Sequence, residues 1–580
     1  MDINNLPRPE HPEPMMFRPD WINLNGEWQF EFDHGVTGRE RGLFKPDAEF
    51  SRRITVPFCP ESELSGIGYK DFMSSVWYRR SFELSAGQLS GRVLLHFGAV
   101  DYECDIYING NHAGYHFGGY SSFTVDITGF AAPGSNVLTV NARDNCRSGR
   151  QPLGKQCSGY YPSGCFYTRT TGIWQTVWLE FVPESYIKTL KYYPDIAAGE
   201  FNIEVTLSAP GKVTAEAFYG EKPVGKVEKT TVSNSVRLTL SLSEKHLWEP
   251  GHGRLYDLKF TLESGGCTDI ISSYAGLREI TISGFKVLIN GKSVFQRTVL
   301  DQGFYPDGIY TAPDDAALKR DIELSMALGF NGARLHEKIF EPRFLYHCDK
   351  AGYLVWEEHA NWGLDINNTS GFFAFLPEWC EAVERDFNHP SIIGWCPFNE
   401  TWVGRDGRIL KAVYDETKRL DPTRPVIDTS GGYHIMTDIY DQHDYEQNPE
   451  RFISKYAEYD GCEESFELFD KDKQTYIPGL PFFLSEFGGI KWVTPEDAAK
   501  LPKNSWGYGS APQSEEEFFA RYEGLVAGLL KMPNLMGFCY TQLYDVEQEV
   551  NGLYKYSREP KFSDYSRIKN ANTAKAAIED

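Results

Sequence analysis

The chain lacks the features that would send it to a membrane, a metal or a nucleic acid. No apolar run approaches the roughly 18 residues needed to span a bilayer as a helix. Its 11 cysteines include no Cys-x-x-Cys pair and no Cys/His spacing of a metal site. Cys157 and Cys165, the closest two, flank a Gly/Ser/Tyr loop without a zinc signature. An odd number of scattered thiols is expected to be mostly buried and free, as in a reducing compartment. The first residues, Met1-Asp2-Ile3-Asn4-Asn5-Leu6-Pro7, have neither the basic nor the apolar region of a secretory signal. A soluble, cytoplasmic protein is expected. Positive charge is scarce: 58 Lys and Arg against 81 Asp and Glu leave a net charge of −23. That surface disfavours nucleic acid or anionic membrane as partner and is indifferent to a neutral small molecule.

What the chain has is length and aromatic rings. At 580 residues it predicts two to four domains. Aromatic content is 14%, with 13 Trp and 33 Tyr, which suits β-rich modules and surfaces that stack on sugars. Residues 1–182 read as all-β: alternating strands at Leu24–Phe32, Val76–Leu84, Arg92–Phe97, Cys104–Ile108, Ser122–Ile127 and Asn136–Ala142 are separated by turns such as Asn109-Gly110. A jelly-roll β-sandwich is expected. Residues 183–283 form a second β block, with strands near Asn202–Leu207, Lys212–Phe218, Ser235–Leu242 and Tyr256–Leu262. Their spacing predicts an immunoglobulin-like sandwich serving as scaffold.

From residue 284 to 580, apolar strand-like runs alternate with helical patterns, the signature of a (β/α)8 TIM barrel. The expected strands are Val294–Leu300, Gly332–Leu335, Tyr353–Glu357, Ile392–Phe398, Pro425–Asp428, Asp438–Tyr440, Pro481–Leu484 and Leu535–Tyr540. Helices are expected at Asp314–Leu328, Glu341–Ala351, Leu376–Phe387, Arg408–Leu420 and Ser514–Lys531.

Two of those strands, Trp395-Cys396-Pro397-Phe398-Asn399-Glu400 and Phe482-Phe483-Leu484-Ser485-Glu486, carry an apolar run onto a carboxylate. Barrel active sites form at the C-terminal strand ends, and two carboxylates there suit glycosidic-bond hydrolysis. Glu400 is expected to be the general acid/base, desolvated by its surroundings and kept protonated near neutral pH. Glu486 is expected to be the ionised nucleophile, with Arg334 and Tyr445 as donors beside it. Asn399 is placed to bond a sugar hydroxyl. Asp301, Gln302, His336, Glu357, Glu358, His443, Tyr540 and Gln542 also fall at strand ends and are expected to share the pocket. Trp362, Trp402 and Trp492 are candidates for stacking on sugar or aglycone. No cofactor is expected. Glu357-Glu358-His359 could chelate a cation, but neighbouring acids after a strand are more often pocket or ion-pair groups.

The chain resembles glycoside hydrolase family 2, the family of β-galactosidases, β-glucuronidases and β-mannosidases, over nearly its whole length. The resemblance is carried by Leu24-Asn25-Gly26-Glu27-Trp28, Trp77-Tyr78-Arg79-Arg80, Thr171-Gly172-Ile173-Trp174 and Leu288-Ile289-Asn290-Gly291-Lys292. Most specific are Asn388-His389-Pro390-Ser391-Ile392-Ile393-Gly394-Trp395 running into Asn399-Glu400, and Ser485-Glu486-Phe487-Gly488. It implies a retaining exo-β-glycosidase with Glu400 as acid/base and Glu486 as nucleophile. Asn399 would contact the 2-hydroxyl, and His389 and Tyr445 would lie in or near the pocket. Three departures bear on the sugar. Arg334-Leu335-His336-Glu337-Lys338 stands where many members have Arg-x-Ser-His-Tyr-Pro. Glu549-Val550-Asn551-Gly552 stands where β-glucuronidases have Asn-x-Lys, so that Lys338 or Arg169 would have to supply a cation for a uronate. Phe166 stands where some β-galactosidases project an aspartate. A terminal β-galactoside is the favoured substrate, a β-galacturonide or β-glucuronide the alternative, and a silent carbohydrate-binding protein the reading from another class. Family resemblance leaves a homo-oligomer open.

Overall fold

A computed structural model describes residues 6–402, 407–457, 459, 461, 474–475 and 477–579. Met1–Asn5 and Cys462, part of the leader and cysteine readings, lie outside these. The chain folds as a jelly-roll sandwich, an immunoglobulin-like sandwich and a parallel barrel.

The first sandwich packs a four-stranded sheet (Trp21–Asn23, Val177–Val182, Arg92–Phe97, Phe123–Asp126) on a six-stranded one (Arg52–Val56, Gly26–Phe32, Ser75–Leu84, Gly134–Arg143, Glu103–Ile108, Asn111–Phe117), all pairs antiparallel. Trp28, Phe30, Tyr78, Leu95, Phe97, Ile106 and Val140 fill the space between them. Asn109 and Gly110 both take positive φ, 52° and 80°, which gives the tight hairpin the dipeptide predicts. The second sandwich sets Ile187–Asp195, Glu200–Leu207 and Ser235–Ser241 against Lys222–Thr231, Gly211–Tyr219, Tyr256–Ser264 and Cys267–Ala275.

In the barrel, seven strands form one sheet in the order Ile392–Cys396, Leu354–Glu358, Gly332–Leu335, Gln296–Asp301, Leu535–Tyr540, Phe482–Phe487, Tyr440–Asp444, every neighbouring pair parallel. The expected strand at Pro425–Asp428 forms no regular ladder. Single parallel bridges, Trp395 with Val426 and Asn399 with Ser430, close that gap. Side chains replace the missing ladder there: Asp438 accepts from the Val426 amide, and Asp428 from the amides of Thr429, Ile435 and Met436. The following strand runs Tyr440–Asp444, later than expected. Helices Asp315–Ala327, Pro342–Ala351, Thr369–Asp386, Arg408–Leu420 and Glu515–Leu530 occupy the expected places, the third starting earlier than read. Asp314 and Ser514 cap two of them with side-chain oxygens. Pro449–Tyr456 and Ser566–Thr573 are helices the pattern did not predict.

Candidate active site

Glu400 and Glu486 converge at the C-terminal mouth of the barrel. One carboxylate oxygen of each, with one ring nitrogen of His443, lie within 4.8 Å of one another. His443 Nδ1 stands 2.8 Å from Glu400 Oε1 and 3.4 Å from Glu486 Oε2. Glu400 sits just past the Ile392–Cys396 strand with φ of 41°, a left-handed backbone that a side chain rarely adopts. Such strain costs on the order of 1–3 kcal/mol and persists only where the surroundings enforce it. Here the Glu400 amide donates to Ser430 O at 2.7 Å and the Asn399 amide to Asn361 Oδ1 at 2.6 Å. After Glu486, Gly488 and Gly489 also take positive φ, and a Cβ on Gly489 would stand 2.4 Å from the Tyr508 ring. That ring stacks on Tyr445 at 3.4 Å, and the Tyr445 hydroxyl donates to Glu486 Oε2.

Arg334 is the hub beneath the pair. From the middle of the sheet its guanidinium reaches Glu486 Oε1 at 2.7 Å, Glu358 Oε2 through Nε at 2.7 Å and Asn399 Oδ1 at 2.6 Å. Glu358 also accepts from His336 Nδ1 at 2.8 Å and the Glu337 amide at 2.9 Å. Fixing the Asn399 oxygen on Arg334 leaves its Nδ2 buried with no hydrogen-bond partner, a donor available to a ligand. Burial would raise the Glu486 carboxyl, but the charges of His443 and Arg334 hold it below its ordinary range. Burial and the Lys155 and Arg334 charges push the His336 ring well down, so it is neutral.

The expectation for Glu400 is corrected on one point. Burial would raise it, yet the His443 hydrogen bond and charge, with Lys155 and Arg334, hold its carboxyl below the ordinary value. Its side chain keeps 30% exposure, and Trp402, a candidate for stacking two residues on, is 59% exposed with its edge on Tyr433.

A loop of the first sandwich completes the wall. The Leu153 amide donates to Trp362 O at 2.8 Å and the Gly154 amide to Ala360 O at 3.1 Å. At its far end the Tyr167 hydroxyl donates to Glu549, Gln302 bonds both Tyr167 and Gln542, Gln542 bonds Asn551 and Asn551 bonds Glu549, a closed ring joining sandwich to barrel. Between these anchors Lys155, 5% exposed, sets its ammonium 3.7 Å over the Trp362 ring. It has no acceptor or ion-pair partner among the described residues. Burial opposes its charge, but Cys165, Glu337, Glu486 and Glu549 raise it, so it is a buried cation aimed into the site. The sequence reading missed Lys155, because a lone lysine in a polar loop carries no local signal.

Several expected residues are elsewhere. His389 precedes its strand and so lies at the barrel's opposite end, 2.6 Å from Asp349 and beside a cavity of about 370 Å³ shared with the sandwiches. Arg169 is spent on the carbonyls of Cys157, Gly159 and Lys70 and stacks on Phe72. Lys338 donates to the Gly303 and Tyr310 carbonyls inside an aromatic box, where burial pushes it down to about 7. Neither supplies a pocket cation. Asp301 turns to Tyr544 and Gly303, Tyr540 packs among Phe487 and Tyr522, and Gln302 and Gln542 belong to the joining ring. Glu357 faces away toward Asp386 and burial pushes it well up, Glu358 faces Arg334, and His359 packs on Phe375 and Trp379. The three diverge and do not form one chelate. Trp492 stacks with Phe562.

Family models match residues 22–149 ("Glycosyl hydrolases family 2, sugar binding domain"), 185–278 ("Glycosyl hydrolases family 2") and 280–488 ("Glycosyl hydrolases family 2, TIM barrel domain"). The chain belongs to glycosyl hydrolases family 2. Among its relatives is a putative β-glucuronidase of Formosa agariphila, 27% identical over 73% of this chain and 52% of that protein. The β-glucuronidase of Sus scrofa is 26% identical over 70% of this chain and 67% of its own. A β-galactosidase of Thermoanaerobacter pseudethanolicus is 25% identical over 73% and 56%. The chain thus spans about half the length of two of these three family 2 relatives. A solved β-glucuronidase of Ruminococcus gnavus, in complex with D-glucuronic acid, shares the fold with a TM-score of 0.80 at 19% identity, over 96% of this chain and 99% of that one.

Proposed function

We propose that the protein is a retaining exo-β-glycosidase. The carrying observation is the approach of the two carboxylates: oxygens within 4.8 Å fit the roughly 5–5.5 Å separation of retaining enzymes and leave no room for the water an inverting one needs. Glu486, kept ionised by Arg334 and Tyr445, attacks the anomeric carbon while Glu400 protonates the departing oxygen. Glu400 then takes a proton from water, whose oxygen releases the sugar from Glu486. The unpartnered Asn399 Nδ2 suits a hydrogen bond to the 2-hydroxyl that strengthens in the oxocarbenium-like state. The loop around Lys155 walls one side and favours a terminal sugar. A silent binding protein would have no use for two converging carboxylates that share one histidine.

For the glycone, Lys155 favours a β-hexuronide. Its ammonium opens on the pocket with no acceptor among the described residues, so a ligand's carboxylate there would gain a charge-assisted hydrogen bond, and two of the relatives above bear β-glucuronidase names. A neutral β-galactoside is the second reading, favoured by Glu549 on the same wall, which would repel a uronate when ionised. A panel of 4-nitrophenyl β-glycosides tests both, expected to give β-glucuronide or β-galacturonide cleavage above β-galactoside. NMR of the first-formed product tests the mechanism: the β-anomer is expected, and the α-anomer would exclude it.

A further inference from the structure

Burial opposes a charge on His443, but Glu486 and Glu400 beside it raise the ring above an ordinary imidazole. The Ser430 hydroxyl donates to Asp441 Oδ2. Asp441 also accepts from Ser485 and from His434, which lies 2.7 Å from Asp428 and 3.0 Å from Asp441. Burial would raise Asp441, but His434 holds it down at about 2, so it is an ionised acceptor. With its one hydrogen spent on Asp441, Ser430 Oγ can only accept from His443 Nε2, 3.1 Å away. On the ring's other side Nδ1 faces two carboxylate oxygens, both acceptors. With Glu400 and Glu486 both held ionised, these contacts are all met when both ring nitrogens carry hydrogen. The remaining charge beside the ring is Arg334 Nη1, 3.5 Å from the same Nε2, which opposes the ring's charge while donating to Glu486 and Ser485 O. The ring lies flat on Gly431, where a Cβ would stand 2.4 Å from Nδ1, so a larger residue would displace it.

We propose that His443 stores the proton that Glu400 delivers to the leaving oxygen. This rests on Glu400 as the acid/base, and His443 is a positioning residue that acts through it. In the first half-reaction the Nδ1–H bond breaks as Glu400 Oε1–H forms. That bond breaks in turn as the glycosidic oxygen takes the proton, Glu486 bonds the anomeric carbon, and the bond from that carbon to the glycosidic oxygen breaks with its electron pair leaving on the oxygen. In the second half Glu400 takes a proton from water, the water oxygen bonds carbon, the electron pair of the Glu486 ester returns to Glu486, and the proton goes back to Nδ1. The resting site thus keeps its acid as an imidazolium–carboxylate pair, and the proton belongs to the pair.

The test compares kcat/KM, which reports the first half-reaction, for phenyl and 2,4-dinitrophenyl glycosides of the same sugar. Phenoxide needs a proton to leave and dinitrophenoxide does not. General acid assistance is worth about 10²–10⁴-fold, so His443→Gln is expected to lose about 100-fold on the phenyl glycoside and at least tenfold less on the dinitrophenyl one. Its alkaline limb on the phenyl substrate should move to lower pH. Ser430→Ala, which cuts the link to Asp441, should do the same to a smaller extent if the histidine variant does not fold. Equal losses on both substrates, or an unmoved alkaline limb, would overturn the proposal. Glu400→Gly with added azide separates the two levels. If azide rescues its dinitrophenyl turnover while His443→Gln behaves like the parent on both substrates, only the histidine's role fails. If Glu400→Gly keeps phenyl glycoside turnover, the assignment beneath it fails.

Discussion

The two sandwiches share an architecture and differ in what they touch. In the second, Ser235–Ser241 and Tyr256–Ser264 alternate buried and exposed along nearly their whole length, one face to the core and one to water. In the first, Val177–Val182 is buried throughout, and Ser75–Leu84 is buried over its first six residues. The first sandwich also lends Lys155 and Tyr167 to the barrel mouth, and among the described residues none of the contacts at Glu400 or Glu486 comes from the second. A β-sandwich is therefore scaffold or active-site wall according to one loop, and its strand pattern does not say which.

The largest effect expected lies in the barrel itself. Glu486→Gln should lower kcat by about four orders of magnitude or more, since losing the nucleophile leaves only binding and electrostatic assistance, with the melting temperature unchanged; near-parental turnover would remove the barrel's claim to the chemistry. Next is the contribution of the first sandwich. Lys155→Met should lower kcat/KM on a β-hexuronide by about 10–100-fold, the worth of about 1.5–3 kcal/mol in a charged hydrogen bond, and leave a β-galactoside nearly unchanged. Equal loss on both would make the lysine structural.

A smaller effect is expected at the seam. Tyr167→Phe leaves Glu549 and Gln302 short of a buried partner, which costs about 1–3 kcal/mol and should lower the midpoint of thermal unfolding by a few degrees, with KM rising more than kcat falls. The smallest is on the second sandwich: Val232, 95% exposed, replaced by Thr should change stability by no more than about 0.5 kcal/mol in urea titration and leave activity alone. A clear loss there would mean that this sandwich takes part after all.

Much of this was legible along the chain. Apolar runs ending in Glu400 and Glu486 mark strands that open onto a shared mouth, and Arg334, His336, Glu358, Asn399 and Tyr445 gather there because each follows or ends such a run. His389 misleads because it sits beside the same motif but before its strand, where the barrel turns to its other end. Lys155 and the Ser430–Asp441–His434 chain were not legible. The first comes from a loop hundreds of residues away, and the second from a barrel segment paired largely by side chains, which leaves no periodic trace. The charge of Glu400 was misread for a related reason. Burial can be guessed from a sequence, whereas a histidine arriving from another strand cannot.

The ring that ties Tyr167 to Glu549 joins residues 382 positions apart. During synthesis the sandwich loop must wait, unsatisfied, for the segment after the Leu535–Tyr540 strand to emerge. Until that segment is made the pocket keeps an open wall, however complete the sandwich and the earlier strands are.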